Sequence, residues 1–261
     1  MAQTKSVKIK AQPRRSILSD ETYTMIRAMI FAHEIVPGDR VNIDALSVQL
    51  GVSQTPIREA LARLESESLI AKEPLKGYRA TNLLSVKEFA DLFSFRLLIE
   101  PFAAEQAAIL IDDHGKRKIN DEIRNAKAAL TFDSENLIEA ITEHDARFHT
   151  LIAAYSGNKS LASAFMNTNC HLHLFRLYVA AQRHLIEPGE KTVFVQDLFS
   201  QYYHSNRGQL AIKQHAAIAK AITSHNPERA KIEMYQHIES SLKRFTPDLH
   251  QVHTDRIAHD Q

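Results

Sequence analysis

Four side chains carry the densest chemistry in this sequence. Asp145 and His149 stand four apart in a helical stretch, so both project from one face, a turn apart. His215 lies eleven residues before Asn226 and His237 eleven after it, and Asn226-Pro227 has the form of a helix cap followed by a first-turn proline. Eleven residues make about three helical turns, so in an antiparallel hairpin the two imidazoles come level. An Asp and a His at i,i+4 are more often a plain hydrogen bond than a pair of ligands. With two imidazoles from facing helices they become a three-histidine, one-carboxylate set, which suits zinc, nickel, manganese or iron without choosing among them.

Arg96 is the second inner group. Phe89, Leu92, Phe93 and Arg96 follow the i, i+3, i+4, i+7 pattern, which puts a guanidinium on an apolar helix face. Such a charge needs a partner. Glu100, one turn on, would make a structural ion pair. A ligand carboxylate would make a bidentate clamp, and that is the reading adopted here. Arg147, His171, His173, Asn167 and Tyr178 are lower-ranked candidates for the same interior.

A different chemistry is laid out between Val41 and Ala80. Ile43, Leu46 and Leu50 share one helical face, and Gly51 supplies a left-handed stop. A second helix follows at once, with Ser53 or Thr55 able to cap it, Pro56 in its first turn, and Ile57, Ala60, Leu61 and Leu64 as its buried stripe. Gln54, Thr55, Arg58 and Ala62 point away from that stripe. Hydrogen-bonding groups and a guanidinium at the N-terminal end of such a helix are what a major-groove reader requires. The run from Leu69 to Ala80 reads as two short strands about a turn with Pro74, Lys76 and Gly77, a basic wing.

The elements that must position these groups divide the chain. Residues 1–15, with Lys5, Lys8, Lys10, Arg14 and Arg15, read as a mobile basic arm, and residues 16–82 as a winged helix-turn-helix domain whose first helix runs from Asp20 to Ala32. Residues 83–247 read as an antiparallel all-α bundle, with helices at about Val86–Leu110, Lys116–Leu130, Glu135–Tyr155, Lys159–His184, Gln209–Ser224 and Pro227–Phe245. Residues 186–207 fit no single element, and 248–261 read as a frayed tail. The fold class is therefore mainly α.

The length of 261 residues suits two domains, and 44% hydrophobic with 24% charged residues excludes disordered and membrane classes. Residues 1–85 hold 12 Lys and Arg against 9 Asp and Glu, and the remainder 20 against 22, so a modest positive excess lies with the segment that carries the groove-reading helix. Cys170 stands alone, which excludes a disulfide framework and points to a reducing cytoplasm.

The phrase Gly51-Val52-Ser53-Gln54-Thr55-Pro56-Ile57-Arg58-Glu59-Ala60-Leu61, followed by Gly77-Tyr78 and preceded by Pro37-Gly38-Asp39-Arg40, resembles the DNA-binding domain of the GntR family of bacterial transcriptional regulators. Two positions depart from that pattern: the family usually has an arginine where Gln54 stands, and many fatty-acid-regulator types have a basic residue where Asp44 stands. The phrase Asp145-x-x-Phe148-His149, then Ser156-Gly157-Asn158, His215 and His237, resembles the ligand-binding FCD domain of the FadR subgroup. The resemblance implies a divalent metal ion, zinc first, on Asp145, His149, His215 and His237, a small organic acid beside it, and an arginine clamp at Arg96. It also implies a ligand-responsive regulator, most commonly a repressor, binding double-stranded operator DNA as a homodimer through Ser53, Gln54, Thr55, Arg58, Lys76 and Gly77. Two rivals from other classes are a metal-dependent enzyme acting on a small acid, weakened by the lack of a placed general base, and a sensor of the metal itself.

Overall fold

The computed structural model describes residues 13–131, 134–182 and 208–245. The expectations for the basic arm up to residue 12, for residues 186–207 and for the tail from 248 lie outside the described residues. The chain separates into two compact units, Met1–Asn82 and Leu83–Gln261.

The first unit holds α1 (Pro13–Phe31), β1 (Arg40–Val41), α2 (Ile43–Leu50), α3 (Gln54–Ser66), β2 (Ile70–Glu73) and β3 (Gly77–Ala80). α1 starts earlier than the expected Asp20, because Pro13 supplies the fixed φ of a first helical turn. It docks on α3 through Tyr23, whose hydroxyl donates to Glu67 Oε1 at 2.6 Å while the Arg63 guanidinium lies 3.9 Å over the ring. Ile26, Ile30, Ile57, Leu61 and Leu64 are fully buried between them. Asn42 caps α2 by accepting from the Asp44 and Ala45 backbone NH groups, and Gly51 ends it at φ 65. Ser53 is the α3 cap residue by its extended backbone, but its hydroxyl makes no capping bond and stays exposed.

The sheet has the order β1-β3-β2, all antiparallel, with Val41 opposite Tyr78 and Ile70 opposite Ala80. β1 replaces what reads as a turn in the sequence. Two residues are too few for a period-2 signal, and the pairing is extended by Gly38 NH to Ala80 O at 3.0 Å and Ala80 NH to Asp39 O at 2.9 Å. Gly77, at φ 90, closes the wing turn with an exposed Lys76 before it.

The second unit holds α4 (Val86–Leu110), α5 (Asp113–Ala129), α6 (Ser134–Tyr155), α7 (Lys159–Asn167), α8 (Cys170–Gln182), α9 (Gln209–Thr223) and α10 (Pro227–Phe245). A capping box starts α4: Ser85 Oγ accepts from the Glu88 NH, and the Glu88 carboxylate accepts from the Ser85 NH. Pro101 sits inside α4 without ending it. Gly115 lets α5 begin against α6, since a Cβ there would stand 2.7 Å from the Tyr155 ring. Asn226 caps α10, accepting from the Arg229 NH at 3.1 Å, and fixes the α9–α10 hairpin. Phe89, Phe93, Ala104, Phe148, Ile218 and Ile238 form the centre of the core at zero exposure.

One expected helix is two. The stretch read as continuous from Lys159 to His184 breaks between α7 and α8, where Asn169 takes φ 45 and the Thr168 hydroxyl bonds back to Phe165 O at 2.7 Å. Thr and Asn side chains compete for helical carbonyls, and Asn tolerates the left-handed region, so a break forms without Gly or Pro.

Candidate metal centre and nucleic-acid interface

α6 supplies Asp145 and His149, α9 His215 and α10 His237. One potential ligand atom from each lies within 4.8 Å of the others. The three imidazoles are buried to 3% exposure or less, and Asp145 is partly open. His215 Nε2 stands 3.1 Å from His237 Nε2 and 3.3 Å from Asp145 Oδ1, and His149 Nε2 stands 3.6 Å from the same oxygen.

Each of the four has a partner behind it. The His149 Nδ1 bonds to Glu100 Oε2 on α4. The His237 Nδ1 meets Gln214 Oε1 at 3.0 Å. The His215 Nδ1 meets His144 Nε2 at 2.9 Å, and His144 Nδ1 in turn meets Glu122 Oε1 on α5 at 2.9 Å. His171 Nδ1 stands 2.6 Å from Asp145 Oδ2, leaving Oδ1 for the imidazoles.

These contacts assign protons. A carboxylate or amide oxygen only accepts, so His149, His237 and His144 carry hydrogen on Nδ1. With its Nδ1–H turned to Glu122, His144 accepts at Nε2 from His215 Nδ1–H. All three inner histidines thereby keep Nδ1–H outward and turn Nε2 inward. His149 Nε2 is buried with no hydrogen-bond partner. Two imidazole lone pairs facing each other at 3.1 Å repel unless a cation lies between them. Ligand atoms bound at roughly 2.0–2.2 Å are separated by about 3.0–3.5 Å around one ion; the His215–His237 and His215–Asp145 pairs, at 3.1 and 3.3 Å, have that spacing, and the donor set fits a divalent metal in its chemistry.

The electrostatics agree. Burial, with His237 close by, holds the His215 pKa well below the ordinary histidine value. Burial, then His149, pushes His237 down to about 3. Both rings are neutral and able to ligate at neutral pH. For Asp145 burial opposes the charge, but His171 and His149 outweigh it and hold the carboxyl well below its usual range. Burial likewise disfavours charge on His149, yet the Glu100 and Asp145 carboxylates raise its pKa. Glu100 is lowered to about 2, its own burial overcome by Arg96 and His149.

Arg96 is 2% exposed and pairs with Glu100. Its remaining nitrogens face Cys170 Sγ at 3.2 Å and His149 Nδ1 at 3.4 Å. The guanidinium thus lies beside the cluster, with Glu100 tying it to His149. Burial pushes the Cys170 thiol up to about 12, so it stays protonated. Among the lower-ranked candidates, His171 joins the cluster through Asp145, while Arg147 lies half-exposed on Glu122 and Glu143. His173 is buried without a bond at Nδ1, Asn167 is exposed, and the Tyr178 side chain is outside the described residues. Glu100 as a histidine support, Glu122, His144 and Gln214 were not singled out by sequence. Adjacency of His144 to Asp145 and of Gln214 to His215 was the only local hint.

In the first unit Ser53, Gln54, Thr55, Arg58, Lys76 and Gly77 are all exposed. Asp44, Gln54, Arg58 and Lys76 line one open groove between α2, the start of α3 and the wing. Within it Gln54 Nε2 donates to Asp44 Oδ1 at 2.5 Å, and Arg58 donates to Gln54 Oε1 at 3.3 Å.

A winged helix-turn-helix joined to a helical bundle with an internal His/Asp cluster defines a two-domain, DNA-binding regulator. Residues 18–79 match the family of bacterial regulatory proteins, gntR family, and residues 91–240 match the FCD domain; the chain belongs to the GntR family and carries an FCD domain. It is 27% identical to a putative L-lactate dehydrogenase operon regulatory protein of Escherichia coli K12, over 90% of each chain. It is 23% identical to the HTH-type transcriptional regulator YdhC of Bacillus subtilis, over 85% of this chain and 88% of that one. The solved structure of E. coli McbR/YncC shares the fold with a TM-score of 0.59 at 16% identity, covering 89% of this chain and 98% of that one. The chain is a bacterial transcriptional regulator, and the enzyme alternative is set aside because the family and these relatives are regulators. No helix among the described residues is long and apolar enough to cross a membrane.

Proposed function

We propose that this regulator is a cytoplasmic homodimeric repressor whose operator affinity is set by a small carboxylate bound beside a divalent metal ion. The observation that supports it is the convergence of three imidazole Nε2 atoms and Asp145 Oδ1, each backed by an outer partner. Asp145, His149, His215 and His237 would hold the ion, with zinc first and nickel, manganese or iron also suited. When bound, the ion supplies a positive centre that attracts an organic anion.

The chain's own groups do the rest. Gln214, Glu100 and the Glu122–His144 pair keep the imidazoles in the ligating tautomer. Arg96 offers a guanidinium to the effector carboxylate, which must compete with Glu100 for it. That exchange gives the ligand a differential affinity for two arrangements of α4 against α6, which any ligand needs if it is to shift an equilibrium. Two heads per dimer would each read a half-site with Ser53, Gln54, Thr55 and Arg58, and Lys76 and Gly77 of the wing would contact the backbone. One head alone touches too few base pairs to select a genomic site.

The E. coli relative is named for an L-lactate dehydrogenase operon, which puts small central-metabolism acids first in a trial. Thermal unfolding of the full chain against a panel of such acids, with and without chelator, tests the proposal. The expected result is stabilisation by one class of acid, lost on chelation and lost in Arg96→Ala. Stabilisation that survives chelation would remove the metal from effector binding. An Arg96→Ala chain that still responds would move the carboxylate elsewhere.

A further inference from the structure

The groove of the first unit holds an acidic side chain where DNA phosphates would crowd, and that side chain is not idle. Asp44 accepts from Gln54 Nε2 at 2.5 Å, and Gln54 Oε1 accepts from Arg58 at 3.3 Å. All three residues are exposed, so none is held by the core; the chain of bonds is what orders them. Asp44 sits in the first turn of α2 and Gln54 is the first residue of α3, so the contact bridges the two helices of the helix-turn-helix.

A primary amide has two N–H donors and two acceptor lone pairs on its oxygen. Asp44 uses one donor and Arg58 one lone pair. One of each is left, on the two ends of a planar group whose rotation is stopped from both sides. That is the complement of the adenine edge in the major groove, which presents the N7 acceptor beside the N6 donor. The guanine edge offers two acceptors and no donor, and would leave Gln54 Oε1 facing O6 or N7. The neighbouring Asp44 carboxylate adds repulsion against the guanine O6, where adenine has its N6 donor.

We propose that Gln54 selects adenine at one position in each half-site, and that Asp44 is a positioning residue that fixes the amide for this reading. The inference rests on the assignment of the α3 N-terminus as the base-reading surface. Asp44 also carries a cost, because its charge opposes phosphate contact; it lowers non-specific affinity while sharpening choice.

The test is enrichment of bound duplexes from a random pool by the full-length protein and four variants, with affinities measured at two salt concentrations. The native chain is expected to enrich adenine at one position per half-site, with roughly 5- to 150-fold discrimination there. Gln54→Arg is expected to move that position to guanine and leave the others in place. Asp44→Ala is expected to reduce the adenine preference about fivefold or more while tightening binding to random duplex. Gln54→Ala should flatten the position altogether. Enrichment of a defined operator in which no position responds to Gln54 would overturn the proposal while leaving the base-reading surface intact. An adenine preference unchanged in Asp44→Ala would remove the positioning role. No enriched sequence from the native chain, and none from Arg58→Ala, would instead sink the reading of α3 on which this one depends. Since the three side chains are exposed, helix content by circular dichroism should be unchanged in every variant.

Discussion

The two units solve opposite problems. In the first, the candidate DNA-reading groups stand in solvent on the rim of a short helix, and the core beneath them holds that helix. In the second, the candidate ligands are the interior: His149, His215 and His237 are buried with the core. An exposed polar group can be lost with little harm to the fold. A buried one must be satisfied, so every ligand candidate in the bundle has its own partner, and those partners come from other helices. Function and stability are separable in the head and fused in the bundle.

That contrast can be broken by experiment. The largest effect is expected for the double variant His215→Ala, His237→Ala. It should lose bound metal by elemental analysis and, by emptying two buried imidazole sites, lower the melting temperature of the metal-free chain as well. Full metal occupancy would end the assignment. Arg58→Ala should weaken operator binding by about 1–3 kcal/mol in a gel shift with no change in melting temperature. If stability falls with affinity, the head is not built as argued. Glu122→Gln keeps the size and hydrogen-bonding reach of the side chain but removes the charge behind His144. Metal affinity should drop roughly 10- to 100-fold, read by competition with a chromophoric chelator, and DNA binding by the chelated protein should be unaffected. Affinity equal to the native chain would make the Glu122–His144 pair a purely structural feature.

How much of this could be read from residues alone also divides along the same line. The head was legible because its signals are local: Gly51 as a stop, Pro56 at a helix start, and Ile57, Leu61 and Leu64 on one stripe lie within one short run. The levelling of His215 with His237 was legible for a related reason, since a single Asn226-Pro227 turn sets the register of both helices. The mainly α class followed from helical periodicity. What escaped was set by packing between distant segments. Nothing near Glu122 reveals that its face of α5 meets His144, and nothing near Glu100 says that it serves His149 as well as Arg96. β1 was too short to show a period, and the break at Thr168–Asn169 arises from side-chain bonds to carbonyls instead of from glycine or proline.

The smallest effect at neutral pH, and the sharpest discriminator away from it, is the sign of the pH response in each unit. In the bundle, His215 and His237 have folded pKa values below the unfolded value of 6.5. Protonation therefore favours the unfolded chain, and their contribution is complete above about pH 6.5 and is lost as pH falls toward 3. Glu100, lowered to about 2, and Asp145 add losses of the same sign at lower pH. His149 works the other way, since its raised value gives stability that is present below 6.5 and lost as pH rises through the folded value. Burial lowers His171 and His173 as well, so four depressed histidines against one raised one leave the metal-free bundle sensitive to acid. In the head, Tyr23 is raised from 10.0 to about 12 by burial and then by Glu67, so its contribution is full below pH 10 and is lost on the alkaline side. Thermal unfolding of the chelated chain should therefore show a bundle transition that moves down between about pH 7 and 5 and again above pH 9.0, where burial holds the Cys170 thiol protonated up to about 12, and a head transition that moves down only above pH 10.0. Tyr23→Phe should abolish the alkaline shift of the head and leave both shifts of the bundle. An acid shift in the head transition, or a head alkaline shift that persists in Tyr23→Phe, would mean that the two units do not keep their electrostatics apart.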